Sequence, residues 1–166
     1  MQKSKLYSSK FFKARVDSLN SSDIIVPEVI KEIKPRSVAD VGCGTGEFLK
    51  VFKDNSVKEI IGFDGPWVKK EQLRIPPDNF KSANLEKPIK HNKKYDLVIS
   101  LEVGEHLDPK STMTFVKTLT GLGDIVLFSA AIPYQDGTHH INERWQDNWA
   151  NIFEKQGFVP IDMFRE

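Results

Sequence analysis

Two hydrophobic periods alternate along this chain. From Ser22 or Asp23 as a cap, Ile24, Ile25, Val29, Ile30 and Ile33 recur at helical spacing, which predicts a helix over residues 24–33 that Pro35 ends. Pro27 is then expected in the first turn, where a missing N–H costs little. Beyond it, short apolar runs predict strands at 37–41 (SVADV), 58–64 (KEIIGFD), 79–83 (NFKSA), 95–100 (YDLVIS), 124–130 (DIVLFSA) and 158–164 (FVPIDMF). Amphipathic stretches between them predict helices near 46–54 and 66–73, another opened by Asp108 as cap with Pro109 at its first position, and a last one near 143–156. Six strands alternating with helices imply an α/β fold, a mostly parallel sheet with helices on both faces. Ligands in such sheets bind at the carboxyl ends of the strands, near the point where strand order reverses.

Charge changes this picture little. With 24 basic and 23 acidic residues the net charge is +1, so no global field draws in nucleic acid or an anionic membrane. The exception is residues 1–20, where Lys3, Lys5, Lys10, Lys13 and Arg15 outnumber Asp17 and Tyr7, Phe11 and Phe12 are interleaved. That segment reads either as a solvated helix docking its aromatics on the core, or as a basic arm or lid over an anionic or nucleotide-bearing substrate. The rest, 21–166, reads as one domain without repeats or linkers. Cys43 is the only cysteine, so an intrachain disulfide is excluded and a reducing, cytoplasmic setting is expected. The most apolar stretch, Ile125 to Ile132, is far short of the roughly 20 residues that span a bilayer. The N-terminal residues MQKSKLYSSKFFKARV lack the apolar core of a signal peptide, so no membrane partner is expected.

Asp40-Val41-Gly42-Cys43-Gly44-Thr45-Gly46 follows the first predicted strand and opens a helix, a turn that lets a ligand approach the backbone. A dinucleotide is disfavoured, because Glu47 would bring a carboxylate near the pyrophosphate. Asp40 instead suits a positively charged ligand, such as the amino group or sulfonium of S-adenosylmethionine. Asp64 lies 18 residues beyond Gly46, close to the roughly 20-residue interval of a ribose-binding carboxylate. Asn84 and Leu85 can offer an amide and a backbone N–H to an adenine edge, Asn84 alternatively being a turn residue. Ser100 to Glu102 could line the other side.

VADVGCGTGEFL, GFDG, NLEKPI and YDLVISLEVGEHL resemble the successive motifs of class I S-adenosylmethionine-dependent methyltransferases, over residues 22–165. SSDIIVPEVI, VLFSAAIP and HINERWQDNWANIFEKQGF add a resemblance to a bacterial and viral subgroup associated with polysaccharide or small-molecule modification. The resemblance implies a Rossmann-like fold, S-adenosylmethionine as cofactor, and a cofactor site comprising Asp40, Gly42, Cys43, Gly44, Asp64, Gly65, Asn84, Leu85, Leu101 and Glu102. Asn84 departs from the wider class, which usually has an acidic residue there. The class sheet runs in the order 3-2-1-4-5-7-6. With FVPIDMFRE as the sixth strand, the seventh is expected to be missing, whether by truncation or as a natural short form. A second copy could then cover the exposed sheet edge.

A hydroxyl acceptor must lose a proton, and His106, in the segment Glu102-Val103-Gly104-Glu105-His106 after the fourth strand, is the expected base. The same pair, Glu105 and His106, could instead only shape the loop. PYQDGTHHIN, 133–142, leaves the fifth strand on the same edge, and His140 resembles the subgroup's recurrent histidine. The expected catalytic set is His106, His140 and Glu105. Trp145 and Trp149, one turn apart, are either core or an aromatic wall against a sugar or base. Glu102, Glu105, His106 and a loop histidine also resemble the metal-binding set of small-RNA 2′-O-methyltransferases, so a divalent metal is admitted but not favoured. The expected activity is methyl transfer to a small polar acceptor, a sugar or nucleotide-linked sugar. The alternatives are an RNA methyltransferase using the basic arm, and a non-catalytic cofactor-binding module.

Overall fold

In the computed structural model, which describes residues 16–163, the apolar runs become five strands: β1 (Ser37–Val41), β2 (Glu59–Asp64), β3 (Phe80–Ser82), β4 (Leu97–Leu101) and β5 (Val126–Ser129). All pair in parallel, in the order β3-β2-β1-β4-β5. The order reverses between β1 and β4, which places the switch point beside the glycine turn that follows β1. The register sets Val41 against Phe63, Asp64 against Ser82, and Leu101 against Ser129, so the chemistry-bearing loops all leave from one carboxyl edge.

Among the described residues four α-helices cover the sheet: α1 (Val16–Ile33), α2 (Glu47–Asp54), α3 (Thr112–Leu122) and α4 (Gln146–Glu154). Val26 and Val29 of α1 with Leu49 and Phe52 of α2 pack on Val38, Leu97 and Ile99. On the opposite face Phe115, Val116 and Leu119 of α3 with Trp149 and Phe153 of α4 pack on Ala39, Val41, Phe63 and Val98. Because both faces are covered, the central strands are apolar at nearly every position instead of alternating. Phe115 is fully buried, and Phe115→Ala is expected to cost about 3–5 kcal/mol of stability. No helix among the described residues is long and apolar enough to cross a membrane.

Four local expectations are corrected. The first helix begins at Val16, so Ser22, which is buried, and Asp23 lie inside it and cap nothing, and Pro27 sits in the helix interior instead of the first turn. Over 66–73 only one 3₁₀ turn forms, Lys70–Gln72, in a segment punctuated by Pro66, Pro76 and Pro77 and held down by the buried Val68 and Ile75. Asp108 does cap, accepting from the Lys110 N–H, but the turn it opens is 3₁₀ (Pro109–Ser111) before α3 starts. Finally, the predicted sixth strand is not in the sheet. Pro160 interrupts its donors, Val159 and Ile161 are largely exposed, and Phe158 alone packs inward on Phe153, leaving β5 as an edge of the described sheet. Residues 1–15 of the expected basic arm lie outside the described residues.

Candidate active site

The carboxyl edge is built in two halves. On the β1–β2 side the chain turns through Gly42, Gly44 and Gly46, all at positive φ. Gly42 is required twice over: its φ is 94°, and a Cβ there would come within 2.3 Å of the Val103 side chain. The turn is tied to β2 by the Gly42 N–H donating to the Phe63 carbonyl at 2.8 Å. It is also tied by the Gly44 N–H, which donates to Asp64 Oδ2 at 2.7 Å, while the Gly65 N–H donates to Oδ1 at 2.6 Å. Asp64 is therefore fixed in rotation, its carboxylate held at the end of β2 by backbone N–H groups. Asp40 is buried beneath this turn. Its carboxyl is pushed well above the usual range, first by burial and then by the Asp64 and Glu47 carboxylates. A ligand carrying positive charge would relieve that repulsion, which is the fit expected of a sulfonium and an amino group.

The other expected cofactor residues are placed as follows. Cys43 contributes only backbone to this edge, because its thiol faces the core with Val38 and Leu49 and is driven up in pKa by burial and by Asp40. Leu85 is buried, and the Ala83 N–H donates to the Asp64 carbonyl, so the loop after β3 lies against Asp64. Asn84 directs its side-chain oxygen to the Glu86 N–H at 3.0 Å, the turn arrangement weighed as its alternative role. Ser100 is buried and donates to the Val41 carbonyl, pinning the ends of β4 and β1 together. After Leu101, Glu102 adopts a left-handed φ of 56°, its carboxylate accepting from the Ser129 hydroxyl at 2.7 Å.

On the β4–β5 side the structure brings Glu105, His106 and His140 together, one possible ligand atom from each lying within 4.8 Å of the others. Glu105 and His106 sit on a 3₁₀ turn (Gly104–His106), and the loop after β5 docks on it through the Ile141 and Asn142 N–H groups, which donate to the Glu105 carbonyl. The Glu105 side chain is fully buried, and neither carboxylate oxygen has a hydrogen-bond donor of normal geometry among the described residues. Burial raises its pKa from 4.5 to about 7. The backbone N–H groups of Glu105 and Ala131 and the charge of His140 pull it down, while Glu102 pushes it up.

His106 Nδ1 lies 3.2 Å from the His139 carbonyl, which can only accept, so Nδ1 carries the proton and the neutral ring has its lone pair on Nε2. That Nε2 is 3.9 Å from Glu105 Oε1. His140 is oriented in a similar way, with Nδ1 3.1 Å from Glu143 Oε1, and its ring meets His106 edge-on at 5.0 Å. A carboxylate and two imidazoles thus converge at one place, a set of groups suited to a proton or another cation.

Asn142 and Glu143 were not foreseen. The buried Asn142 amide donates to the Gly104 carbonyl at 3.0 Å and to the Thr112 hydroxyl at 3.1 Å, clamping the histidine loop onto the 3₁₀ turn. In HHINER only the spacing of Glu143, three residues after His140, hinted at such a role. Of the two tryptophans, Trp149 is core, packed on Gly104 and Phe128, whereas Trp145 is half exposed.

A parallel α/β sheet with a glycine turn at its switch point, a carboxylate one strand away and an acid–imidazole cluster opposite is the architecture of a Rossmann-like fold. A family model described as a methyltransferase domain matches residues 22–162, and the chain belongs to that family of class I S-adenosylmethionine-dependent methyltransferases. S-adenosylmethionine is its cofactor.

Among solved structures, an O-methyltransferase, so described, from Nostoc punctiforme PCC 73102 is 17% identical, with a TM-score of 0.65 over 86% of this chain and 51% of that one. The methyltransferase domain of bacterial CtHen1 is 26% identical, with a TM-score of 0.64 over 84% of this chain and 86% of the other. CalO1, a methyltransferase in calicheamicin biosynthesis solved with S-adenosylhomocysteine bound, is 15% identical, with a TM-score of 0.64 over 87% of this chain and 49% of its own. Among curated proteins, nodulation protein NoeA of Rhizobium meliloti (strain 1021) is 44% identical over 39 residues, 24% of this chain and only 8% of NoeA.

Proposed function

We propose that this methyltransferase acts on a hydroxyl oxygen of a small polar acceptor, a sugar or nucleotide-linked sugar, with His106 as the base. The observation that carries the reading is the convergence of Glu105, His106 and His140 on the carboxyl edge around a fully buried carboxylate. S-adenosylmethionine supplies a methyl group already activated by its sulfonium, so the protein's main task is orientation plus removal of one proton.

Asp64 and the turn at 42–46 hold the nucleoside and methionine ends of the cofactor. His106 Nε2 takes the acceptor's proton while the His139 carbonyl retains the proton on Nδ1. The resulting imidazolium is stabilised by Glu105 beside it, and His140, oriented by Glu143, closes the other side. The fold of CalO1, from calicheamicin biosynthesis, supports a small-molecule acceptor only by analogy of architecture.

One observation favours a second reading. A buried carboxylate with no hydrogen bond of normal geometry among the described residues and two imidazoles whose Nδ1 atoms are held by a carbonyl and a carboxylate form a donor set suited to a divalent ion. Glu105, His106 and His140 would hold it, and it would acidify the acceptor hydroxyl.

A labelled-methyl assay over candidate acceptors tests both readings. Activity that survives chelator and falls with His106→Ala supports the base, whereas loss with chelator and rescue by Mn²⁺ supports the ion. Incorporation into RNA instead of saccharides would move the acceptor to nucleic acid. Cofactor binding without turnover on any acceptor would leave a cofactor-binding module.

A further inference from the structure

We propose that Tyr134 and Trp145 form an aromatic platform that seats the pyranose ring of an uncharged saccharide acceptor, a proposal that rests on the neighbouring Glu105–His106–His140 cluster serving the acceptor. Tyr134 is 94% exposed and Trp145 is 48% exposed, a large apolar area to leave in water on one loop. Their ring centroids lie 6.4 Å apart at an interplanar angle of 53°. Neither ring is there to fill the core, a task that falls to Trp149 one turn further along.

The loop that carries them belongs to the cluster. Its middle folds so closely over His140 that a Cβ on Gly137 would lie 2.1 Å from that ring. Its far end is anchored to Glu105 by the Ile141 and Asn142 N–H groups, and Trp149 packs on Gly104, next to Glu105. Tyr134 holds a left-handed φ of 71°, a conformation disfavoured for a bulky side chain and characteristic of sites where ligand contact decides geometry.

Ring geometry and charge select the ligand. Two rings tilted by 53° make an angled shelf instead of the parallel slot that would sandwich a flat nucleobase. Such a shelf suits the axial C–H groups of a puckered sugar, which pack on aromatic faces. Between Ala130 and Trp145 the loop has no lysine. Its one arginine, Arg144, is already committed, donating to Asn142 Oδ1 at 2.9 Å and lying over Trp149, while Asp136 and Glu143 are acidic. Within this loop a phosphate backbone would meet two carboxylates and an arginine already engaged.

Saturation-transfer NMR on the full chain with S-adenosylhomocysteine bound tests the platform, using cellotetraose and the N-acetylglucosamine tetramer as probes and an RNA decamer as the alternative. Saccharide binding is expected, about three- to tenfold weaker in Tyr134→Ala and Trp145→Ala, and near wild type in Trp145→Phe. Unchanged S-adenosylhomocysteine affinity in each variant establishes that it is folded. Absence of saccharide binding, equal binding by Tyr134→Ala, or RNA binding that the aromatic variants lose would overturn the platform. If that happens while His106→Ala still abolishes methyl transfer, the assignment of the cluster stands without it.

Discussion

The two halves of the carboxyl edge solve the same problem in opposite ways. In the half proposed to bind the cofactor, every left-handed residue of the turn is glycine (Gly42, Gly44, Gly46), and Asp64 is bonded on both oxygens by backbone N–H groups. Opposite, the left-handed positions are Glu102, Tyr134 and His139, and the buried Glu105 carboxylate has no partner of normal geometry among the described residues. One half is complete before ligand arrives. The other stores strain and unmet valence, which cost stability until something fills them, and that is how an acceptor site differs from a cofactor site on one sheet.

Breaking the acceptor half has the largest expected effect. His106→Ala should lower methyl transfer by about 10²–10⁴-fold, the usual contribution of a positioned base, in a labelled-methyl assay. Glu105→Gln sharpens the contrast through stability. The folded carboxyl keeps its proton up to about 7, whereas the unfolded chain releases it near 4.5. The resulting stabilisation is full at low pH, declines as pH rises between these values, and is lost above about 7. It amounts to about 3 kcal/mol, and the glutamine variant should lack this part of the pH dependence in urea unfolding with chelator present. A variant with the same pH slope as wild type would mean that Glu105 is solvated in the folded protein.

In the cofactor half, Asp64→Ala should weaken S-adenosylhomocysteine binding by about 1–3 kcal/mol, measured by calorimetry, since hydrogen bonds to a charged acceptor are lost. The smallest effect separates the adjacent histidines. Because the backbone carbonyl of residue 139 positions His106, His139→Gly should relieve the left-handed strain and change stability by less than about 1 kcal/mol. It should leave turnover near wild type, whereas His140→Ala lowers it.

The cofactor half was the more legible in sequence, for a physical reason. Glycines and a carboxylate at a set interval are backbone requirements, and apolar runs report burial on both sheet faces, so β1 falls on the predicted residues 37–41 and Asp64 at a strand end. EVGEH and HHIN supplied the right residue types for the other half. That Glu105 would be sealed off and His106 set by a carbonyl depends on how two loops distant in sequence dock, which periodicity does not encode. The same holds for Trp145 and Trp149, identical in spacing terms, of which only the second is core. Asn84 spends its oxygen on a local turn, and the run at 158–164 shows that apolar alternation around a proline does not secure a place in a sheet.

The most direct test of the separation between the halves is calorimetric titration of S-adenosylhomocysteine into the His106→Ala, His140→Ala double variant. A cofactor half complete in itself predicts an affinity within about twofold of wild type, as for sites that do not share partners. A tenfold or greater loss of affinity, about 1.4 kcal/mol, would show that the histidine cluster is part of the cofactor site and contradict the division.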